Sequence, residues 1–211
     1  MNEIGFIDYL LIVISVLYSW RAFHAAQPPP AGAKAQATQP VLDSDTPTGR
    51  LDALALPETE NALGRTLKRI AFAARYASID VFLDGAKMTY ETVIEAFAAG
   101  DIAGCHHLLS VSVRDSFTQA ITDRAAREET AELVFIGFRA VTIVDAGLNQ
   151  DYAWIEVRFD ADLVSVNYNR DGRVVSGAPG QVTTASEVWT FERDLRGRGP
   201  DWLLTATEDN A

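Results

Sequence analysis

The chain has 211 residues, 48% of them hydrophobic and 22% charged, with a formal net charge of −11 and a single cysteine, Cys105. That length holds one ordinary domain plus appendages. The acidic balance argues against a general nucleic-acid-binding surface, which needs excess cation to meet phosphate, and one cysteine excludes an intramolecular disulfide.

The charge is unevenly placed. Residues 1–79 carry seven acidic and seven basic side chains, whereas residues 80–211 carry 22 acidic and 11 basic. Any contact with anionic lipid therefore has to come from the N-terminal third.

The chain opens with an apolar run, IGFIDYLLIVISVLYSW over residues 4–20. Only Tyr9 to Trp20 is free of formal charge, too short alone for a bilayer, which takes roughly 20 residues. Counting back through Asp8 and forward through Arg21 supplies the length, and Tyr18 and Trp20 suit an interfacial aromatic belt. The N-terminus lacks the basic region of a cleavable signal peptide. The reading is a single-pass anchor over residues 1–25. Arg21 and His24 follow the run, so the positive-inside rule puts the rest of the chain in the cytoplasm. A buried helix of the domain is the other reading of this run.

Residues 26–57 hold six of the eight prolines, with many Ala, Thr and Gln. Such a segment has little to bury and reads as a disordered linker. The domain proper then spans residues 58–211. Its first element is a helix over 60–79, with Leu63, Leu67, Ile70 and Ala74 on one stripe. Arg65, Lys68, Arg69 and Arg75 make it basic, so it is a candidate contact for anionic lipid. A solvated helix docked to its own acidic domain fits the charges equally well.

Within the α+β core over 80–211, Phe82, Ala86, Tyr90, Val93 and Phe97 recur at helical spacing, with Leu83 and Ile94 beside them. Gly100 suits the left-handed stop and Asp101 the cap of a short second helix. Ser112, three residues before Asp115, reads as a loose capping box for a third helix. Val113, Phe117, Ile121 and Ala125 form its buried side. The period then changes to two. Glu132 to Asp145 is a strand. Tyr152 to Tyr168 is a clearer one, in which Ala153 to Leu163 alternate with polar residues and a bulge falls near Leu163. Val182 to Arg193 puts Trp189 and Phe191 on one face, and Trp202 to Thr207 closes the chain. Helices followed by a strand meander predict an α+β fold, with helices packed on one face of a bent antiparallel sheet of about four strands.

Chemical motifs are scarce. Neither GxxxxGK nor GxGxxG occurs, and there is no nucleophile elbow. Adjacent His106 and His107 point to different sides of a helix, so no metal site is expected. Cys105 reads as a small, partly buried helix residue. Asp160 and Asp162 share the solvated face of their strand.

Several runs together resemble a known family. They are Phe82-Leu83-Asp84-Gly85-Ala86, Tyr90-Glu91, Ala96-Phe97-Ala98-Ala99-Gly100-Asp101, Leu108-Leu109-Ser110, Glu187-Val188-Trp189-Thr190-Phe191-Glu192-Arg193 and Pro200-Asp201-Trp202-Leu203-Leu204. Residues 60–207 resemble the bacterial Tim-44-like domain, named for the forty-four-kilodalton subunit of the mitochondrial inner-membrane translocase. The resemblance implies a cone-shaped fold like that of nuclear transport factor two, with a pocket between helices and sheet. It implies association with the inner membrane and no catalysis or cofactor. The mitochondrial subunit recruits a chaperone motor, and a mitochondrial relative docks ribosomes at the membrane. This chain has neither a presequence nor the long chaperone-binding region, so a bacterial inner-membrane protein is the better fit.

Three functions follow as expectations. The first is a membrane-anchored, non-enzymatic adaptor in protein translocation or membrane-protein biogenesis, with inner-membrane lipids and translocase or insertase components as partners. The second is a lipid or small-molecule binder, its pocket drawn from Tyr90, Phe97, Trp154, Glu187, Trp189 and Phe191. The third is an isomerase or dehydratase, which needs an inward acid–base pair; Asp80, Asp84 and Glu187 are the only candidates. The partner and the oligomeric state are not legible.

Overall fold

A computed structural model describes residues 58–74, 78–197 and 202–209. The expected anchor and linker, residues 1–57, lie outside the described residues, as does Arg75. Among the described residues no helix is long and apolar enough to cross a membrane. The elements are α1 (Glu58–Ala73), α2 (Ile79–Ala99), a 3-10 helix (Ala103–Leu108), α3 (Val111–Ala126), then β1 (Thr130–Leu148), β2 (Tyr152–Tyr168), β3 (Val174–Gly177), β4 (Thr183–Asp194) and β5 (Leu203–Asp209).

α2 forms because its apolar side chains recur on one face. Phe82, Ala86, Tyr90, Val93, Ile94 and Phe97 are all buried, and burying each large one contributes about 1.5–3 kcal/mol. Ser78 caps its start, accepting from Val81 N–H at 3.4 Å, and Gly100 ends it in the left-handed conformation, φ 78°. The expected single helix over 60–79 is thus two elements. α1 stops at Ala73, and Ile79 opens α2 behind its own cap. The cap position of the 3-10 helix is Ile102 and not Asp101; Asp101 stands one residue earlier, its Oδ1 accepting from Ala103 N–H at 2.9 Å.

α3 corrects two expectations. Its cap is Ser110, which accepts from Val113 N–H at 3.3 Å; Ser112 is already in the first turn. Its buried stripe is Val113, Phe117, Ala120 and Arg124, while Ala125 is exposed. The reason is Arg124. Its guanidinium donates to Phe97 O (2.8 Å) and Ala98 O (3.0 Å) and lies over the Phe97 ring. A cation thereby closes the negative C-terminal end of α2.

The sheet is antiparallel, with order β1-β2-β4-β5, and β3 pairs with β2 beyond the end of β4. Ala153, Ile155, Val157, Phe159, Ala161 and Leu163 all face the helices, none more than 4% exposed. A bulge does fall beside Leu163, but its extra residue, Ile136, belongs to the neighbouring strand, since β1 pairs Phe135 with Leu163 and Gly137 with Asp162. β2 pairs with β4 without a break through Leu163–Thr183, whereas β1 shifts register between Phe135 and Gly137, Phe138 and Ala140, and Ile143 and Asp145. Extra residues on one edge strand bend the sheet around the helices. Past Leu163 the buried positions move to Val166 and Asn167, where β3 takes the place of β4 beside β2. β3 is a short fifth strand beyond the four or so that the sequence predicts. The core lies between α2 and α3 on one side and β2, β4 and β5 on the other, with α1 packed by Leu67 and Ile70.

Candidate functional site

Two features carry chemistry. The first is the outer face of α1. Ile70 and Ala74 are buried at 1% and 2%, and Leu67 packs against the core. That fixes the rotation of the helix and turns Arg65, Lys68 and Arg69 outward. Phe72 lies on the same outward side, about two turns on from Arg65, and is 87% exposed. The sequence reading named the three cations but missed Phe72. The signal was there: Phe72 falls off the Leu67–Ile70–Ala74 stripe. Cations flanking an exposed aromatic form the face of an interfacial helix.

The second feature is a crevice between α2 and the sheet. It is lined by Tyr90, Val93, Ile94, Phe97, Phe117, Leu133, Leu163, Glu187 and Trp189, with a cavity of about 20 Å³, room for about one water. Of the six pocket candidates, the fold brings Tyr90, Phe97, Glu187 and Trp189 to this wall. Phe191 is buried beyond it, edge-on to Phe82. Trp154 does not belong to the crevice. On β2 the even positions face away from the helices, and Trp154 instead lies across Gly147 of β1, where an added Cβ would come within 2.2 Å of its indole. Its alternation with Ala153 and Ile155 put it on the outer face from the start.

Glu187 is 7% exposed and Tyr90 fully buried. The Glu187 carboxyl accepts from Trp189 Nε1 at 2.9 Å. The Tyr90 hydroxyl faces the same carboxyl, but outside hydrogen-bond geometry, so it has no bonded partner; the two groups still act on each other electrostatically. Burial pushes Glu187 up to about 7, with the charge of Asp209 adding and the Trp189 bond opposing. Burial, reinforced by the Glu187 charge, pushes Tyr90 upward too, so its proton stays on. The other two acid candidates are exposed; Asp84 pairs with Lys87 at 3.4 Å.

Asp162, Asp160 and Cys105, singled out in the sequence, each have a structural partner. Asp162 meets Arg139 at 2.7 Å and Thr184 at 2.7 Å, and the Arg139 guanidinium holds its carboxyl below the usual range. Asp160 accepts from Ser186 at 2.6 Å. Cys105 is buried, its Sγ donates to Ile102 O, and burial raises its thiol pKa, so it is a resting core thiol. Among the described residues no group of His, Cys, Asp and Glu is placed to hold a metal ion.

No curated protein matches this chain. Among solved structures, it is similar at 10% identity and a TM-score of 0.41 to the crystal structure of the intermembrane space region of chloroplast protein ARC6, over 60% of this chain and 94% of that one; a likeness at that level is too slight to argue from. The family model of the Tim44-like domain matches residues 64–209. Its span covers α2, the Gly100-Asp101 junction and the Trp189–Phe191 strand, the elements that build the core described above, and on that match the chain belongs to the Tim44-like domain family.

Proposed function

We propose that the protein is a non-enzymatic adaptor at the bacterial inner membrane, serving protein translocation or membrane-protein biogenesis. Family membership supports a membrane-associated, translocation-related role. The observation that carries the reading to this chain is the outer face of α1, where Arg65, Lys68 and Arg69 flank the exposed Phe72. The domain below it is strongly acidic, so α1 is the side turned to anionic lipid. The apolar run before residue 25 would hold the chain at the membrane, with the 26–57 segment as its tether and the domain in the cytoplasm. Lipid headgroups and translocase or insertase components are the partners this reading requires. Pull-down of the full chain from solubilised membranes should recover such components; recovery at background level overturns the adaptor reading. Carbonate extraction should leave the protein in the membrane pellet, and release into the supernatant overturns the anchor.

The pocket reading has one observation in its favour, the convergence of Tyr90 and Glu187 on a single cavity. A cavity of about 20 Å³ leaves no room for an acyl chain or a ring. For the same reason an isomerase or dehydratase reading lacks a place for substrate beside its one inward acid. Native mass spectrometry of the purified chain tests both, and a retained ligand of more than a few atoms would revive the pocket.

A further inference from the structure

Glu187 sits in the core with no cation among the described residues that line its cavity. Each element packed on it can be inspected in turn. α2 contributes Tyr90, Val93, Ile94 and Phe97, α3 contributes Phe117, β1 Leu133, β2 Leu163, and β4 Trp189. β5 contributes Asp209, opposite Glu187 in the strand pairing, whose like charge opposes ionisation. No Lys, Arg or His lines the cavity. The carboxyl therefore meets one N–H donor, one phenol outside bonding geometry that favours the ionised form less than the Trp189 donor does, and one like charge. That setting suits a neutral acid and leaves a charged one under-solvated. The cavity beside it has room for about one water.

We propose that Glu187 is a proton-operated latch between α2 and the sheet. With the proton on, the crevice stays closed, and the rings of Tyr90 and Trp189 keep their contact, centroids 4.7 Å apart. With the proton off, the carboxylate draws water into the crevice and loosens α2 from β4 around these two rings. The switching range is set by burial, which holds the carboxyl at about 7 against an ordinary 4.5. The sign follows from proton linkage. The folded state holds this proton more tightly than the unfolded one, so the stabilisation is complete below about 4.5 and is lost as pH rises through about 7. Over that window the opening equilibrium grows about tenfold per pH unit, roughly 300-fold in all. The latch rests on the packing of the core and is independent of the adaptor reading.

Two measurements on the full chain in detergent micelles test it. In protein labelled with carbon-13 glutamate, the Glu187 carboxyl carbon, assigned through bonds from its own amide, should titrate near neutrality, well above exposed glutamates. Hydrogen exchange, corrected for the intrinsic pH dependence, should be at least about tenfold faster at pH 8 than at pH 6 for amides around Tyr90 and Trp189. Glu187→Gln should remove that difference. Titration in the ordinary carboxylate range, equal corrected exchange at the two pH values, or a pH difference that survives in Glu187→Gln each overturns the latch. If Glu187→Gln does not fold, the carbon titration and the wild-type exchange decide alone.

Discussion

At the scale of single residues, stability here depends on polar groups that reach across the core. Arg124 holds two carbonyls at the end of α2 from a position on α3. Arg124→Met keeps the bulk but strands those carbonyls, and bonds from a charged donor are the stronger kind. Urea denaturation should show a loss of about 3 kcal/mol. Gly100 allows the same closure: its φ of 78° disfavours a side chain, and a Cβ there would stand 3.3 Å from the Arg124 guanidinium. Tyr90 gives the opposite expectation. Its hydroxyl is buried with no bonded partner, so Tyr90→Phe should leave stability unchanged or raise it by about 1 kcal/mol. Because the Tyr90 contact lowers the Glu187 pKa, the same substitution should move the Glu187 midpoint upward in a carbon-13 titration. A large destabilisation would mean that the hydroxyl is bonded after all.

At the scale of elements, α1 has two faces with separable roles. Ile70, 1% exposed, fastens the helix to the core, and Ile70→Ala should destabilise by about 2–5 kcal/mol in denaturant. Phe72, 87% exposed, touches little, so Phe72→Ser should stay within about 0.5 kcal/mol of wild type. The same variant should weaken co-sedimentation of the 58–211 fragment with vesicles containing anionic lipid. Reversing Arg65, Lys68 and Arg69 together to Glu should abolish it, at about 1 kcal/mol per charge removed, with no effect on neutral vesicles. Binding that survives both changes would shift the membrane contact away from α1. On β1, Gly147 accepts the flat Trp154 ring across it. Gly147→Ala places a Cβ 2.2 Å from that indole and should lower stability by about 2 kcal/mol through overpacking.

At the scale of the whole molecule, the one buried acid among the described residues, Glu187, gives the fold a pH dependence of its own. The shift of Glu187 from 4.5 to about 7 corresponds to about 3 kcal/mol. Measured by chemical denaturation, stability should therefore fall by that order between about pH 5 and pH 7.5, and Glu187→Gln should flatten the decline. The surface pairs act in a separate, lower range: Asp162 and Asp194 are held down by arginines, so their contribution is complete above the ordinary carboxylate range and is lost only as pH falls through it. Their exposure keeps those terms small.

The sequence by itself determined the faces. Helical spacing from Phe82 to Phe97 and strict alternation from Ala153 to Leu163 state which side of each element is apolar, and apolar sides must be covered. The parity of Glu187 with Trp189 and Phe191 already turned that acid inward. Periodicity says nothing of what a face meets, because the partner comes from far along the chain. The Tyr90–Glu187 approach spans α2 and β4, and the Arg124 bonds span 26 and 27 residues. Only the tertiary structure decided these. It moved the cap of α3 from Ser112 to Ser110, put Arg124 inside and Ala125 outside, and left Phe72 bare among cations. It also closed the crevice to about one water, because the rings of Tyr90, Phe159 and Trp189 pack within 4.7–5.7 Å of one another and fill the space that a list of aromatic residues cannot show to be full.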